Sequence, residues 1–254
     1  MKSPFLLALL GLLLLSGQSV AQRTLSLVVG HQQHFTSARF IDDRLASARV
    51  TLRPAMYRNW LLGASVGLSP RYAVQATAGF SSFGLSFASQ RDYRQIRGEG
   101  TNIATSQRDA WEYALVLRRY FFGASPEVSG HWFADAGLDV IDISGIPYTG
   151  SMSFGTTDHM LAVAPGIEGT ATLVELNPYR LGLRLGAGRE WALAAHHFLA
   201  VQLVGSIGLR DLQRYDLTTV TWQQSRTIDP AYYYNRIATR FSFVGLQARY
   251  RFQL

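Results

Sequence analysis

The chain has 254 residues, of which 48% are hydrophobic, 12% aromatic and only 16% charged. It contains no cysteine, which excludes disulfides, thiolate metal sites and lipid attachment through a cysteine. The formal net charge is +7, and Lys2 is the only lysine, so arginine carries the positive charge. Arginine could pair with the phosphates of anionic lipid or lipopolysaccharide, or could simply replace lysine. The sequence has no basic cluster of the kind that binds polyanions, and nucleic acid is not an expected partner.

The N-terminal segment has the three parts of a secretory signal peptide. Lys2 supplies the positive start, residues 5–15 form an apolar run, and Ser19-Val20-Ala21 is a small-x-small cleavage site. The apolar run is too short to span a membrane comfortably, since a spanning helix needs about 20 apolar residues. The sequence therefore predicts a signal peptide over residues 1–21 and a mature domain over residues 22–254.

From residue 24 onward, apolar residues recur at every second position, which is the period of a β-strand and not of a helix. In the last segment, apolar side chains from Val244 onward alternate with a second face that carries Arg249 and Arg251. Two further segments, 72–87 and 161–173, also alternate. The eight segments predicted as strands are 24–32, 46–57, 60–69, 111–121, 132–140, 179–187, 199–210 and 244–254.

Strands that are apolar on one face and polar on the other suit a barrel wall between lipid and a polar lumen. No segment after the signal peptide has the roughly 18 consecutive apolar residues that indicate a transmembrane helix. We therefore predict an all-β fold: an antiparallel transmembrane β-barrel with 8 strands, or with 10 if residues 72–87 and 161–173 belong to the wall. A secreted β-sandwich is the soluble alternative, because its strands also alternate.

The connections favour eight strands. Short turns are then predicted at residues 57–60, 123–130 and 192–196, and long connections at 33–45, 70–109, 143–178 and 211–237. Short periplasmic turns and long outer loops are characteristic of outer-membrane barrels. We therefore expect both termini on the periplasmic side and the two additional segments as hairpin extensions beyond the membrane.

Several stretches resemble the bacterial outer-membrane β-barrel domain, which is porin-family-like and of the small OmpA/OmpX type. Residues 52–68 (LRPAMYRNWLLGASVGL) are similar to a strand–turn–strand of this family, and 116–122 (VLRRYFF) with 132–138 (WFADAGL) to the next hairpin. The last strand resembles the signal read by the barrel assembly machinery, although the chain ends in Leu254 where the family pattern prefers an aromatic residue. The resemblance implies an integral outer-membrane barrel and no particular reaction.

The inner face of the predicted barrel is charged. The charged residues expected to face the lumen are Arg49, Arg53, Glu112, Arg118, Asp135, Asp139, Arg180, Arg184, Glu190, Arg210, Arg249 and Arg251. An eight-strand barrel is just wide enough to be filled by side chains, so these charges should pair. Two roles stay open: a plugged lumen held by ion pairs, or a narrow anion-favouring passage, since the arginines outnumber the acids.

No constellation in the sequence predicts a catalytic, cofactor-binding or metal site. The spacing of His31 and His34 places their rings on opposite faces of a strand, which disfavours a shared metal. Asp42 and Asp43 could form part of a hydrolase site with His159 only if their loops meet. We therefore expect no enzyme activity and no cofactor.

The leading functional prediction is a non-enzymatic barrel of the bacterial outer membrane that acts in surface interaction or membrane integrity through its outer loops. Residues 211–237 are the candidate contact loop, since they include 218–222 (TTVTW) and the tyrosines at 232–234, which could equally belong to an outer aromatic belt. A small passive pore and an outer-membrane hydrolase are the alternatives. The expected partners are outer-membrane lipid, lipopolysaccharide and the barrel assembly machinery.

Overall fold

A computed structural model of the protein describes residues 24–36, 39–42, 50–91, 100–121, 130–143, 151–155, 166–222 and 231–254. The predicted signal peptide lies outside these residues. Among the described residues there is no helix with the length and hydropathy needed to cross a membrane. The described strands are β1 (Leu25–Thr36), β2 (Arg39–Asp42), β3 (Val50–Arg53), β4 (Ala55–Ser69), β5 (Tyr72–Arg91), β6 (Gly100–Phe121), β7 (His131–Asp142), β8 (Ser151–Gly155), β9 (Gly166–Leu176), β10 (Tyr179–Ala194), β11 (His197–Gly208), β12 (Gln213–Trp222), β13 (Ala231–Thr239) and β14 (Phe243–Gln253).

Eight of these strands close into an antiparallel barrel. Their order around the barrel is β1-β4-β5-β6-β7-β10-β11-β14, so that strands next to each other in the wall follow one another along the chain. The barrel closes because β1 pairs with both β4 and β14. The predicted all-β fold and the predicted strand number are confirmed.

The two ends of the barrel differ in their connections. At the end that holds both termini of the described wall, here called the turn end, two-residue turns at 70–71 and 195–196 join neighbouring strands. At the opposite end, the loop end, shorter strands lie within the connections. Five of them form a second sheet in the order β2-β13-β12-β9-β8. This order matches the barrel strands β1-β14-β11-β10-β7, so the second sheet continues that part of the wall beyond the barrel.

The makeup of the wall differs from the prediction in one region. The sequence pattern predicts a turn at residues 57–60, but β4 continues through it without a break. Tyr57 and Asn59 face inward while Arg58 and Trp60 face outward, so the alternation keeps its phase through the expected turn. The turn that the resemblance implied within residues 52–68 is therefore absent, because β4 runs through this position.

In the wall, β4 lies next to β1, where the prediction put residues 46–57, and β5 takes the third place, which the prediction gave to 60–69. The predicted long connection at 70–109 is therefore wrong. A two-residue turn joins β4 to β5, and β5 pairs with β6 along its length. Of the two segments predicted as extensions, 72–87 lies in this barrel strand, whereas the described part of 161–173 lies in β9 of the second sheet. The count of eight was right, but residues 72–87 belong to a barrel strand and 46–57 do not form one of their own. The described part of 46–57 is divided between β3, which pairs with β5, and the start of β4.

The wall has an apolar outer face and a polar inner face. On the outer face, Leu62 and Leu185 are 64% and 61% exposed, whereas the inward neighbour Arg184 is buried. On β10, the outward aromatic residues Tyr179 and Trp191 stand twelve residues apart. At about 3.3 Å per residue and a tilt of about 40°, they are separated by about 30 Å along the barrel axis. The outer face between them is the apolar band of the wall, which only Arg189, beside Trp191, interrupts on this strand.

Candidate functional site in the barrel lumen

Charged side chains occupy the lumen along most of its length. Each comes from a strand position whose neighbours in sequence face outward, as Arg184 does between Leu183 and Leu185. All but Arg251 are at most 3% exposed, and its side chain is 15% exposed. Among the described residues, the inward-facing charges are Arg118, Arg180, Arg184, Arg249 and Arg251 with Glu112, Asp135, Asp139 and Glu190. Burial of this degree would cost several kcal/mol for each unpaired ion.

The ion pairs toward the turn end centre on Asp135 and Glu190. Arg118 donates two hydrogen bonds to Asp135, from Nε to Oδ1 at 2.8 Å and from Nη2 to Oδ2 at 3.0 Å. Nη1 of Arg249 donates to the same carboxylate at 3.3 Å. Glu190 accepts from Nη2 of Arg251 at 2.6 Å and from Nη1 of Arg118 at 3.2 Å. Two carboxylates thus hold three guanidiniums and join β6, β7, β10 and β14 across the lumen.

Amide side chains add hydrogen bonds to this cluster, although Nε of Arg249 and Nε2 of Gln247 have no hydrogen-bond partner. Gln202 accepts from Nη2 of Arg118 at 3.3 Å and donates to Oε1 of Gln247 at 2.7 Å. Gln247 also accepts from Nη2 of Arg249 at 2.7 Å, and Nη1 of Arg249 donates to Gln75. These glutamines were not among the predicted lumen residues, because the prediction followed charge alone. They could have been predicted from the alternation of each strand, because each glutamine stands at an inward position between outward apolar residues.

A second ion pair lies midway along the lumen. Nη1 of Arg184 donates to Oε1 of Glu112, and Nη2 donates to Oε1 of Gln32 at 2.8 Å. The other oxygen of Glu112 accepts from Nδ2 of Asn59 at 2.7 Å. The four residues come from β10, β6, β1 and β4, so this cluster also spans the lumen.

The third cluster lies toward the loop end and forms a closed triangle. Arg180 donates from Nη1 to Oδ2 of Asp139 at 2.7 Å and from Nη2 to Oγ of Ser206 at 2.6 Å. Ser206 in turn donates to Oδ1 of Asp139 at 2.9 Å. The serine hydroxyl thus accepts from a cation and donates to a carboxylate, so Ser206 is part of the ion-pair cluster.

Apolar side chains pack next to this triangle in the loop-end half of the barrel. The cluster, here called the apolar plug, consists of Ala110, Ile141, Ile143, Val204, Leu212, Phe241 and Phe243. Phe241 has a φ of 47°, a conformation that bulky residues rarely adopt, and its N–H donates to Oγ1 of Thr239 at 3.0 Å. Its ring is fully buried, so packing in the plug holds the strained backbone in place.

Not every predicted lumen residue lies in the lumen. Arg210 is exposed, and its Nη2 donates to the carbonyl of Tyr179 at 3.1 Å. That prediction was wrong because it extended the alternation beyond Gly208, where β11 ends. Arg49 and the side chain of Arg53 lie outside the described residues. The described lumen holds five arginines and four acids, a smaller excess than the sequence pattern suggested.

The histidines do not assemble a site in the described part of the chain. His31 faces outward and His34 is buried inside, so their rings lie on opposite faces as the strand spacing predicts. No group of three acidic or histidine side chains among the described residues could hold a metal ion. His159, Asp43 and the side chain of Asp42 lie outside the described residues.

A separate charged cluster lies at the loop end, outside the barrel strands. The carboxylate of Asp211 accepts from Arg240 at 3.0 Å, from Arg39 at 3.3 Å and from Arg214 at 3.4 Å. Burial alone would raise the pKa of Asp211, but the hydrogen bonds and charges of Arg240 and Arg39 outweigh burial and lower this pKa below its ordinary value.

A closed β-barrel with an apolar outer band and a charged, hydrogen-bonded interior is the architecture of a transmembrane β-barrel. No protein-family model matches the sequence, nor does the sequence of any curated protein. Among solved structures, the chain is similar to the outer membrane protein OprG from Pseudomonas aeruginosa, with a TM-score of 0.45 and 9% identity over 90% of this chain and 96% of that one.

Two further solved structures are similar to the chain at lower TM-scores. One is an outer membrane channel from Pseudomonas putida F1, with a TM-score of 0.30 and 11% identity over 93% of this chain and 97% of that one. The other is the outer membrane protease OmpT from Escherichia coli, with a TM-score of 0.29 and 10% identity over 91% of this chain and 96% of that one.

Proposed function

We propose that this protein is an integral barrel of the bacterial outer membrane that has no enzymatic activity and no open pore. Its lumen is a structural core made of ion pairs, and the protein acts at the loop end, in surface interaction or membrane integrity. The observation that carries the proposal is the pairing of charges in the lumen, where every described inward-facing guanidinium pairs with a carboxylate.

The outer face supports the membrane location. Soluble monomers rarely expose contiguous apolar patches larger than a few hundred Å². Here, large apolar side chains on all eight barrel strands are 37% to 68% exposed. The band between Tyr179 and Trp191 is about 30 Å high, which is close to the thickness of the hydrocarbon core. The predicted signal peptide supplies the export that an outer-membrane location requires.

The pairing in the lumen argues against a permanent passage. An ion that entered would have to displace side chains that are already ion-paired, and breaking a buried pair costs about 3–5 kcal/mol. The apolar plug adds a second barrier at the loop end, where an ion would meet no polar partner among the side chains of that cluster. An anion-favouring pore would need unpaired inward arginines, and the described lumen offers none.

The loop end is the part of the molecule best placed for contact with other molecules. The second sheet carries the wall beyond the apolar band, and a folded sheet presents a fixed surface without the entropy loss of ordering a loop. The backbone of residues 213–222 and 231–239 forms β12 and β13 of this sheet. The side chains of 218–222 and 232–234, which the sequence analysis favours as contact groups, lie outside the described residues.

Single-channel recording in planar bilayers tests the proposal. We expect the folded protein to insert without giving stable current steps, and we expect Arg184→Glu to destabilise the barrel because it sets two carboxylates against each other beside Asn59. A stable open current with anion preference, changed in selectivity by Arg184→Glu, would support the pore alternative and reject the plugged lumen.

A further inference from the structure

Two arginines near the turn end point outward from the wall instead of into the lumen. Arg119 on β6 is exposed and Arg189 on β10 is half-buried, whereas their neighbours Arg118 and Glu190 are buried inside. An arginine that faces lipid is costly unless it reaches water or an anion. The place where these two arginines lie is therefore a candidate for a ligand site.

The strand register places both arginines on one face, on either side of β7. Ala134 of β7 pairs with Arg119 of β6. Trp132, two residues earlier on β7, pairs with Arg189 of β10. Directly paired residues point to the same face, and so do residues two apart on one strand. Since Trp132 is 60% exposed on the outer face, both arginines face outward beside it and can reach one ligand that lies over β7.

Both arginine side chains extend toward the turn end, to the level of the aromatic residues. The Cζ atom of Arg119 lies 5.2 Å from the ring centre of Phe121, and that of Arg189 lies 5.6 Å from the ring centre of Trp191. Each of these rings belongs to the next outward residue toward the turn end of the same strand. Aromatic rings at the ends of barrel strands mark the level of the lipid headgroups. The two guanidiniums therefore lie at the level of lipid phosphates.

Neither of these guanidiniums has an acidic partner among the described residues. Arg119 and Arg189 form no hydrogen bond or ion pair there, and Nε of Arg189 is buried without a hydrogen-bond partner. The lumen is the opposite case, because every inward-facing guanidinium described in it pairs with a carboxylate. The planar fork of arginine matches the oxygens of a phosphate in a bidentate manner. The two outward arginines thus offer unused donors and positive charge to an anionic headgroup.

A shallow groove leads from the arginines toward the middle of the apolar band. Its floor consists of Ala134 and Ala136, two successive outward residues of β7. Ala136 pairs with Leu117 on one side and with Leu185 on the other, and these leucines are 46% and 61% exposed. Because leucine extends farther from the wall than alanine, the two leucines form the sides of the groove. An apolar groove that begins beside two cations fits an acyl chain with an anionic head.

We propose that Arg119 and Arg189 bind the phosphate of phosphatidylglycerol, whose acyl chain lies in the groove over Ala134 and Ala136. The choice of leaflet rests on the proposed function: with the loop end facing outward, the turn end lies in the periplasmic leaflet, which consists of phospholipid. Phosphatidylglycerol fits the charge of the site, because no cation in its head neutralises the phosphate. The bound lipid supplies the anion that the two arginines lack and fixes the depth of the turn end in the membrane.

The test compares phosphatidylglycerol with phosphatidylethanolamine of the same acyl chains, whose head carries an ammonium group beside the phosphate. Each lipid is titrated into the folded protein in a neutral detergent and followed by native mass spectrometry. The test variant is Arg119→Gln with Arg189→Gln. The matched control is Arg58→Gln with Arg210→Gln, which also removes two exposed arginines, but in the loop-end half of the molecule.

We expect the test variant to bind phosphatidylglycerol roughly twentyfold more weakly than the parent, since each arginine at an anionic lipid surface contributes about a factor of five. The control variant and a charge-preserving Arg119→Lys, Arg189→Lys variant should retain most of the affinity. The parent should bind phosphatidylethanolamine more weakly than phosphatidylglycerol. Equal affinity of the test and control variants, or equal binding of the two lipids, would overturn the proposal.

The groove has a test of its own, which leaves the charge unchanged. Ala136→Leu raises the floor between Leu117 and Leu185, and it should weaken the binding of phosphatidylglycerol roughly fourfold, the effect of about one buried methylene group. Ala248→Leu, on the outer face of β14, is the matched control and should leave the affinity unchanged. An unchanged affinity in Ala136→Leu would overturn the placement of the acyl chain.

Folding of each variant is checked by the shift in gel mobility between heated and unheated samples. If the double variant fails to fold, Arg119→Gln alone is used, because Arg119 is the more exposed of the two. Its expected loss is roughly fivefold, and an unchanged affinity would overturn the proposal.

Competition experiments on the parent separate the sources of phosphate. Displacement of phosphatidylglycerol by inorganic phosphate would overturn the assignment to a lipid, and displacement by lipopolysaccharide would overturn the assignment to the periplasmic leaflet. Neither measurement depends on conductance. A barrel that binds phosphatidylglycerol and also conducts would therefore reject only the plugged lumen.

Discussion

The lumen and the exposed charged cluster at the loop end use the same chemistry in opposite surroundings. This cluster, the loop-end patch, consists of Arg39, Arg214, Arg236 and Arg240 with Asp211 and Asp216. In the lumen, Asp135 holds Arg118 and Arg249 with side chains that are at most 4% exposed. In the patch, Asp211 holds three arginines whose side chains are 40% to 55% exposed. A count of ion pairs would treat the two regions as equivalent.

The two regions differ in the free-energy cost of an ion that loses its partner. A buried ion left alone has no water to replace the lost contact, whereas an exposed ion is resolvated at once. The lumen therefore needs its pairs in order to stay folded and closed. The patch can exchange its partners for water at little cost.

The largest expected effect is on the lumen. Asp135→Ala leaves two buried guanidiniums without their shared carboxylate and should lower the free energy of unfolding by about 3–5 kcal/mol. Urea or guanidinium titration of the refolded barrel, read by tryptophan fluorescence, measures this change. The matched control is Asp216→Ala in the patch, where a pair exposed by about half on both sides should contribute less than about 1 kcal/mol. Equal losses for the two variants would remove the distinction between the regions.

The outer face gives the next largest effect. Leu185→Arg places an arginine directly after Arg184 but on the opposite side of the wall, near the middle of the apolar band. An arginine facing lipid at this depth should destabilise the barrel by about 2–4 kcal/mol in bilayers. Leu254→Arg, at the turn end, serves as the control and should change stability by less than about 1 kcal/mol. If Leu185→Arg is as stable as the parent in bilayers, this face does not contact lipid.

The smallest effect concerns acid and the patch. The pKa of Asp211 is lowered in the folded protein, so its pairs stabilise the fold above the ordinary carboxyl pKa, and this contribution is lost as the pH falls through the lowered value. Between neutral pH and about pH 3, the free energy of unfolding of the parent should fall by up to about 1 kcal/mol more than that of Asp211→Asn. The difference is small because solvent screens the arginine partners of Asp211. Unfolding titrations at both pH values measure the difference. A larger acid sensitivity in Asp211→Asn would contradict the assignment.

Much of the fold could be predicted from the sequence because a strand has a fixed period of two. From that period one could predict the two faces of the wall, the number of barrel strands and the inward direction of residues such as Asp139 and Arg184. The period could not predict where one strand ends and the next begins, because the alternation alone does not mark a turn. Residues 55–69 keep one phase throughout, so an expected turn at 57–60 was indistinguishable from a continuous strand.

The contacts within the lumen and the patch could not be predicted in the same way. The period assigns a residue to a face but not to a height, and height depends on the register between strands. The triangle of Arg180, Asp139 and Ser206 joins three strands whose register only the folded barrel fixes. The same reason hid the loop-end patch, since Arg39 and Arg214 meet only through their common neighbour Ala238.

The central claim is that the lumen is closed by its own side chains, and thiol accessibility tests it most directly. The chain has no cysteine, so Ser206→Cys introduces a single thiol beside Arg180 and Asp139, while Arg236→Cys introduces one on the exposed patch. A water-soluble thiol reagent should modify the patch thiol about a hundredfold faster than the lumen thiol, since the latter waits for the barrel to open. Comparable rates in the folded protein would contradict the closed lumen.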